Sequence, residues 1–147
     1  MVAERIKKCF PPRFNPAEEP VAPEITEVND CVRNHAGYSL FDAQLGAAEA
    51  LKRQLETDKM ALLVAECGTG KTKIGSAALY AYQHGNPKRK VYDKAFNVVI
   101  CPSHITGKWV REIHETIPNS YAMHVNTMAE VDNLYSYYES HHKSVYC

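Results

Sequence analysis

A run of small, hydroxyl-bearing and basic residues in the middle of the chain has the composition of a phosphate-binding loop. Gly68, Thr69 and Gly70 form a predicted turn, and Lys71 and Thr72 follow it directly. Backbone N–H groups of such a turn point inward and bind an anion, which the positive end of a following helix also stabilises. The spacing therefore predicts a nucleotide-phosphate site in which Gly68, Thr69 and Gly70 donate backbone hydrogen bonds.

The side chains around this turn have separate expected roles. Lys71 is expected to reach the β- and γ-phosphates as a catalytic cation, and the Thr72 hydroxyl is expected to ligate Mg²⁺. Cys67 directly precedes the glycines, so its thiol is expected to lie at the cofactor site, unless it points into the sheet as a small apolar residue. The strict pattern begins with Gly where this chain has Ala65. The alternative for the whole stretch is a glycine-rich turn that binds no ligand.

Strands and helices must position this loop. Residues 60–65 form a short apolar run with strand character, and Lys71 opens a segment with helical spacing. Upstream, Ser39 is the predicted N-cap of a helix through about residue 56, with Asp42 in the capping-box position. Further strands are predicted at residues 96–101, 121–126 and 144–147, separated by two amphipathic helices. Strands that alternate with helices indicate an α/β fold with a parallel sheet.

Composition places limits on the function. The 147 residues are enough for one domain, and 17 basic residues balance 17 acidic ones, so overall charge does not direct the chain to nucleic acid. The five scattered cysteines and the lack of a signal peptide or long apolar span predict a cytoplasmic protein with no membrane partner.

Residues 1–37 are predicted to be a Pro-rich extended arm, and residues 38–147 the folded domain. Residues 1–24 hold five of the eight prolines, with few apolar side chains between them. A solvated tail is the expected state of this arm. In the alternative interpretation, the basic residues of the arm contact a phosphate backbone: Arg5, Lys7, Lys8 and Arg13.

Three stretches together resemble the first RecA-like domain of superfamily 2 helicases, and more closely the Swi/Snf-like DNA translocases. Residues 65–72 resemble helicase motif I. Residues 38–51 are similar to the helix upstream of motif I, in which a glutamine reads adenine, here Gln44. Residues 98–112 resemble motif Ia, in which a strand ends in Pro102 and Trp109 follows in the next helix. The alternatives are a polar helix residue for Gln44 and core packing for the ring of Trp109.

The resemblance implies a three-layer P-loop (RecA-like) parallel sheet flanked by helices and incomplete at the C-terminus. It implies ATP and Mg²⁺ as cofactors and nucleic acid, with double-stranded DNA as the expected form, as partner. Ser103, His104 and Lys108 correspond to the motif Ia region along the nucleic-acid backbone, with helix capping and solvation as their alternative roles. The basic cluster Lys88, Arg89 and Lys90 is a further candidate for phosphate contacts.

One expected part of a helicase is missing from the sequence. An apolar strand that ends in Asp-Glu should follow motif I, to hold Mg²⁺ and to polarise the attacking water. The chain is therefore expected to be the N-terminal part of a longer ATP hydrolase with a second RecA-like domain, and not to hydrolyse ATP alone. The competing interpretations are another P-loop NTPase or kinase, and a non-catalytic interaction module that depends on nucleotide.

Overall fold

The computed structural model describes Glu4, residues 12–85 and residues 94–147. Within this part, a small parallel sheet packs with five α-helices. The helices are α1 (Pro23–Ala36), α2 (Asp42–Asp58), α3 (Lys71–His84), α4 (Thr106–Thr116) and α5 (Met128–Ser140), and a 3₁₀ turn, Ser103–Ile105, precedes α4. The strands are β1 (Phe96–Asn97), β2 (Ser120–Ala122) and β3 (Ser144–Tyr146), in the order β1-β3-β2.

The sheet confirms a mixed α/β fold with parallel strands. Phe96 lies opposite Val145 and Tyr121 lies opposite the same residue on the other side, so β3 is the central strand. All three strands are shorter than the predicted ranges 96–101, 121–126 and 144–147. The arrangement is compatible with part of a RecA-like domain, whereas the three-layer arrangement stays a prediction.

Residues 60–65, predicted to be the first strand, pair with no other strand in the described part of the chain. Their burial nevertheless alternates: Met60, Leu62 and Val64 are 77%, 84% and 83% exposed, whereas Leu63 packs against the core. An alternation with period two is the mark of an extended segment with one packed face. Among the described residues, the segment therefore has neither a partner strand for its backbone nor a cover for its outer face.

Helix α1 corrects the prediction of an extended arm over residues 1–37. Ile25, Val28 and Val32 are completely buried, and their spacing places them on one face of the helix. Pro23 stands in the first turn, where its missing N–H costs no hydrogen bond. The prolines of this region therefore start a core helix and do not keep all of it extended.

Residues 12–22 are also attached to the fold. Phe14 is only 9% exposed, and its ring lies 3.6 Å from the position of a Cβ added at Gly46 in α2. Arg13 forms an ion pair of 3.2 Å with Asp58, and its Nε donates a hydrogen bond of 2.9 Å to Gln54. The expectation of a solvated tail is therefore wrong for residues 12–22, and Arg13 is occupied within the chain. The other basic residues of the arm lie outside the described residues.

Helix α2 begins later than predicted and is capped differently. The N-cap is Phe41, and its backbone N–H donates to Oε1 of Gln44 at 2.9 Å. Ser39, the predicted cap, instead accepts a hydrogen bond of 3.0 Å from Nε of Arg33. Gln44 thus fixes the start of α2, which brings its side chain to the predicted phosphate loop.

Candidate nucleotide-binding site

The predicted loop folds as a turn that leads into α3. Gly68 and Gly70 have φ angles of +83° and +80°, which residues with a side chain rarely adopt. A Cβ added at Gly70 would lie 2.5 Å from Nε2 of Gln44. The backbone conformation therefore favours glycine at residue 70, and a side chain there would also displace the end of the Gln44 side chain. We call the turn formed by Gly68, Thr69 and Gly70 the backbone cradle.

Lys71 is folded back across this cradle. Its Nζ donates to the backbone oxygens of Ala65, at 2.9 Å, and Glu66, at 2.6 Å. Thr69 Oγ1 donates to the same Glu66 oxygen at 2.9 Å, which ties the turn together. An ammonium group carries three N–H donors, so one donor of Lys71 is left for an anion. The predicted catalytic cation therefore lies at the loop already.

Gln44 connects the start of α2 to the loop. Its Nε2 donates to the backbone oxygen of Thr69 at 3.0 Å, while its Oε1 accepts from Phe41. The side-chain amide has a second N–H and a second lone pair, which leaves one donor and one acceptor for a ligand. The sequence pointed to Gln44 through adenine recognition, which nothing in the geometry tests. Its hydrogen bond to the loop was not foreseen.

The elements around the loop enclose a cavity of about 620 Å³. This volume lies within the usual range of small-molecule sites. Predicted cofactor residues meet here: Gln44, Cys67, Gly68, Gly70, Lys71 and Thr72. The remaining walls come from the segment before α2, from α3, and from the start of α4: Tyr38, Ser39, Leu40, Phe41, Lys73, Ile105, Lys108 and Glu112. The cavity thus gathers most of the predicted residues with others that sequence reasoning missed.

Two of the missed residues are aromatic. Tyr38 and Phe41 are 50% and 76% exposed, although large apolar side chains are usually buried. In the sequence, the feature that could have pointed to these two residues was their position within six residues of Gln44. Glu112 was visible in the sequence only as the residue three places after Trp109.

The residues predicted to contact nucleic acid lie near one another at the start of α4. Ser103 and His104 are exposed in the 3₁₀ turn, and the Ser103 backbone oxygen accepts from Thr106 Oγ1 at 2.9 Å. Lys108 is 57% exposed, 3.5 Å from Glu112, and also lines the cavity at the loop. The predicted basic cluster, Lys88, Arg89 and Lys90, lies outside the described residues.

A second cavity, of about 280 Å³, lies beyond the ends of the strands. Trp109, Ile113 and Met123 are among its largely apolar walls, together with Ser103 and Cys101. Trp109 packs against the core, as expected for its ring. Its walls contain neither a glycine turn nor a Lys or Arg side chain.

The chemistry of the donors fits ATP with a divalent cation. The cradle supplies backbone N–H groups and the ammonium of Lys71, and phosphate oxygens with water would complete a Mg²⁺ shell around the Thr72 hydroxyl. The described residues contain no cluster of three or more His, Cys, Asp or Glu side chains suited to a metal. Any cation at Thr72 would therefore depend on the ligand's own oxygens.

In the described part of the chain, no helix has the length and apolar character that crossing a membrane requires.

Comparison with known families supports the nucleotide interpretation. The family described as Type III restriction enzyme, res subunit, matches residues 37–146, which is most of the chain. This family has a helicase-like domain of superfamily 2, which generally uses ATP with a metal ion and acts on nucleic acid. The superfamily 2 part of the resemblance is thereby confirmed.

The comparisons with curated proteins and with solved structures give no match. The family match alone covers the loop, Gln44, the start of α4 and all three strands. The chain therefore belongs to the family of the Type III restriction enzyme res subunit.

Proposed function

We propose that this chain binds ATP at the loop Gly68–Thr72 as part of an ATP-dependent helicase or translocase. The observation that carries the proposal is the meeting of Gln44, Lys71 and Thr72 at one cavity of about 620 Å³. In this proposal Lys71 contacts the β- and γ-phosphates, Thr72 ligates Mg²⁺, and Gln44 recognises adenine. Helicase membership supports ATP over other phosphate ligands.

We further propose that a strand from elsewhere in a longer parent protein completes the sheet. Support comes from two segments that expose apolar side chains: residues 60–65, and the chain after β1, where Val98 and Ile100 are 67% and 96% exposed. A backbone edge with such side chains is a template for another strand. The proposed strand would end in the carboxylates that hydrolysis needs, so this chain alone would bind ATP without turning it over.

The proposal also includes the bounds of the nucleotide domain, the form of the nucleic acid and the residues that contact it. The nucleotide domain would comprise residues 38–147, with α1 packed against it. A Swi/Snf-like translocase would act on double-stranded DNA and would need a second RecA-like domain to close over the nucleotide. In that arrangement Ser103, His104 and Lys108 would lie along the nucleic-acid backbone.

Protection of Cys67 tests nucleotide binding at this loop. Cys67 is exposed, whereas Cys31 is buried beside His35 and its pKa is raised, chiefly by burial and also by the nearby Glu27. A raised pKa lowers the thiolate fraction, which is the reactive form. We therefore expect iodoacetamide to modify Cys67 before Cys31 near neutral pH, and Mg-ATP to slow the reaction at Cys67 by covering the thiol.

Mass spectrometry gives the labelling rates of Cys67, Cys31 and Cys101 in the same sample. Cys31 is the internal control, because it is buried and Mg-ATP should leave its slower rate unchanged. Equal rates at Cys67 with and without Mg-ATP, at saturating nucleotide, would contradict ATP binding at this loop.

The salt dependence of DNA binding tests the part of the proposal that concerns nucleic acid. If Lys108 contacts a phosphate, Lys108→Ala should make the slope of log affinity against log salt shallower by about one. Loss of Lys88, Arg89 and Lys90 together should change the slope by about three if each contacts one phosphate. Fluorescence anisotropy of labelled double-stranded DNA over a salt series measures both slopes.

The exposed Lys59, far along the chain from α4, provides the matched control for this series. Lys59→Ala should leave the slope unchanged. A slope that is the same in all variants would show that these basic residues are merely solvated.

A further inference from the structure

Lys73 is a basic residue buried between α3 and α4. It stands directly after Lys71 and Thr72, and its side chain is only 8% exposed. Its Nζ donates to Oε2 of Glu115 in α4 at 2.7 Å, where the carboxylate side chain is 27% exposed. The same Nζ lies 5.8 Å from the centre of the Tyr38 ring. One ammonium group therefore links three parts of the chain.

All three parts also form walls of the phosphate cavity. Tyr38 lines it ahead of α2, Lys73 lines it from α3, and α4 contributes Lys108 and Glu112. Glu112 and Glu115 are three residues apart, so both lie on one side of α4. The face of α4 that carries Glu115 is thus directed toward the loop helix.

Stability alone is a weak reason for such a pair. Exchange of a buried ion pair for apolar side chains of similar size is often neutral or stabilising, because charges lose hydration when they are buried. The better-attested role of a buried charge is to fix one arrangement of the elements it joins. Lys73 and Glu115 join α3, which begins at the loop, to α4, which begins after the 3₁₀ turn Ser103–Ile105.

We propose that Lys73 is a positioning residue that couples occupancy of the phosphate loop to the position of α4. The inference rests on the proposed function, because ATP at the loop is the event that it transmits. A bound triphosphate contacts the first turn of α3, and Lys73 lies in that turn. A shift there moves Glu115 and, with α4, the exposed Ser103–Lys108 segment. In this role Lys73 acts through its ion pair with Glu115.

Trp109 provides the readout, since it is the single tryptophan of the chain and lies in α4. We expect Mg-ATP to change its fluorescence in the wild type. Glu115→Met breaks the pair from α4, outside the cavity walls, and should abolish most of this change while Cys67 remains protected by Mg-ATP. Glu115→Asp should keep part of the response, because it keeps a carboxylate for Lys73. The exposed Lys59→Met is the control and should respond as the wild type does.

A second experiment tests the positioning role without nucleotide. In the ligand-free protein, Lys73→Met should make amide hydrogens of α4 exchange about tenfold faster, while those of α5, which packs on β3, keep their rates. The double variant Lys73→Met with Glu115→Met keeps the interface filled without an unpaired charge. It should stay folded but still lose the Trp109 response.

The outcomes separate the two proposals. If Mg-ATP fails to protect Cys67 in the wild type, the proposed function fails, and α4 exchange still tests whether Lys73 positions that helix. If Cys67 is protected but Glu115→Met keeps the full Trp109 response, the coupling is overturned. Unchanged exchange in α4 of Lys73→Met overturns the positioning role even when nucleotide binds.

Discussion

Lys71→Ala is expected to weaken Mg-ATP binding by this chain about tenfold to a hundredfold, the range for loss of charge-assisted hydrogen bonds. In a parent protein with a complete catalytic site, the same change should abolish ATP turnover, since it removes the ammonium that neutralises phosphate charge at the loop. The fold should survive, because Lys71 Nζ donates to the exposed backbone oxygens of Ala65 and Glu66 and to no core group among the described residues. Isothermal titration calorimetry gives the affinity and thermal unfolding gives the stability.

Lys59→Ala is the matched control for loss of an exposed ammonium, and its affinity should equal that of the wild type. A Lys71→Ala variant that binds Mg-ATP as tightly as the wild type would refute the role of this side chain. Residues 1–147 alone are expected not to hydrolyse ATP. If they do so, and if the activity depends on Lys71, hydrolysis does not need carboxylates from another strand.

Arg53→Met is expected to lower the free energy of unfolding by about 2 kcal/mol, which is below the roughly 3–5 kcal/mol typical of breaking a fully buried ion pair. Glu49 is only 2% exposed, and Arg53 Nε donates to its carboxylate at 2.8 Å. Loss of the guanidinium leaves that carboxylate with the Ala22 N–H, at 2.9 Å, and the more distant Lys52, at 3.8 Å. Because Arg53 is itself 28% exposed, water reduces the cost below that of a fully buried pair.

Urea denaturation measures this change, and Arg33→Met is its control. Arg33 pairs with Asp30 at 3.0 Å, but both side chains are more than half exposed. Such pairs contribute little, so we expect a change within about 0.5 kcal/mol. Equal stability losses in the two variants would mean that the burial of Glu49 does not set the cost.

The loop could be predicted because its chemistry is local. Gly68, Gly70, Lys71 and Thr72 are close in sequence, and their backbone requirements act over a few residues. The cavity walls could not be predicted in the same way. Lys73 meets Glu115 across 42 residues of chain, and only the packing of α3 on α4 brings them together. Long-range pairs of this kind leave no spacing signal in one sequence.

The errors at the N-terminal side have a common physical cause. Prolines suggested extended chain, yet proline fits the first turn of a helix, and apolar spacing after Pro23 was the stronger signal for α1. Ser39 has the usual chemistry of an N-cap, but Arg33 takes its hydroxyl and Gln44 satisfies the helix start. Cap residues compete for partners that only the folded chain reveals.

The alternating exposure of residues 60–65 also matters for how such a protein is made. On a ribosome, this segment emerges well before any later strand that could pair with it, so nascent chains carry an open apolar edge in the meantime. Edges of that kind join one chain to another. The segment is bracketed by Lys59 and Glu66, and flanking charges slow such joining. We therefore expect Lys59 and Glu66 to limit association between nascent chains during synthesis.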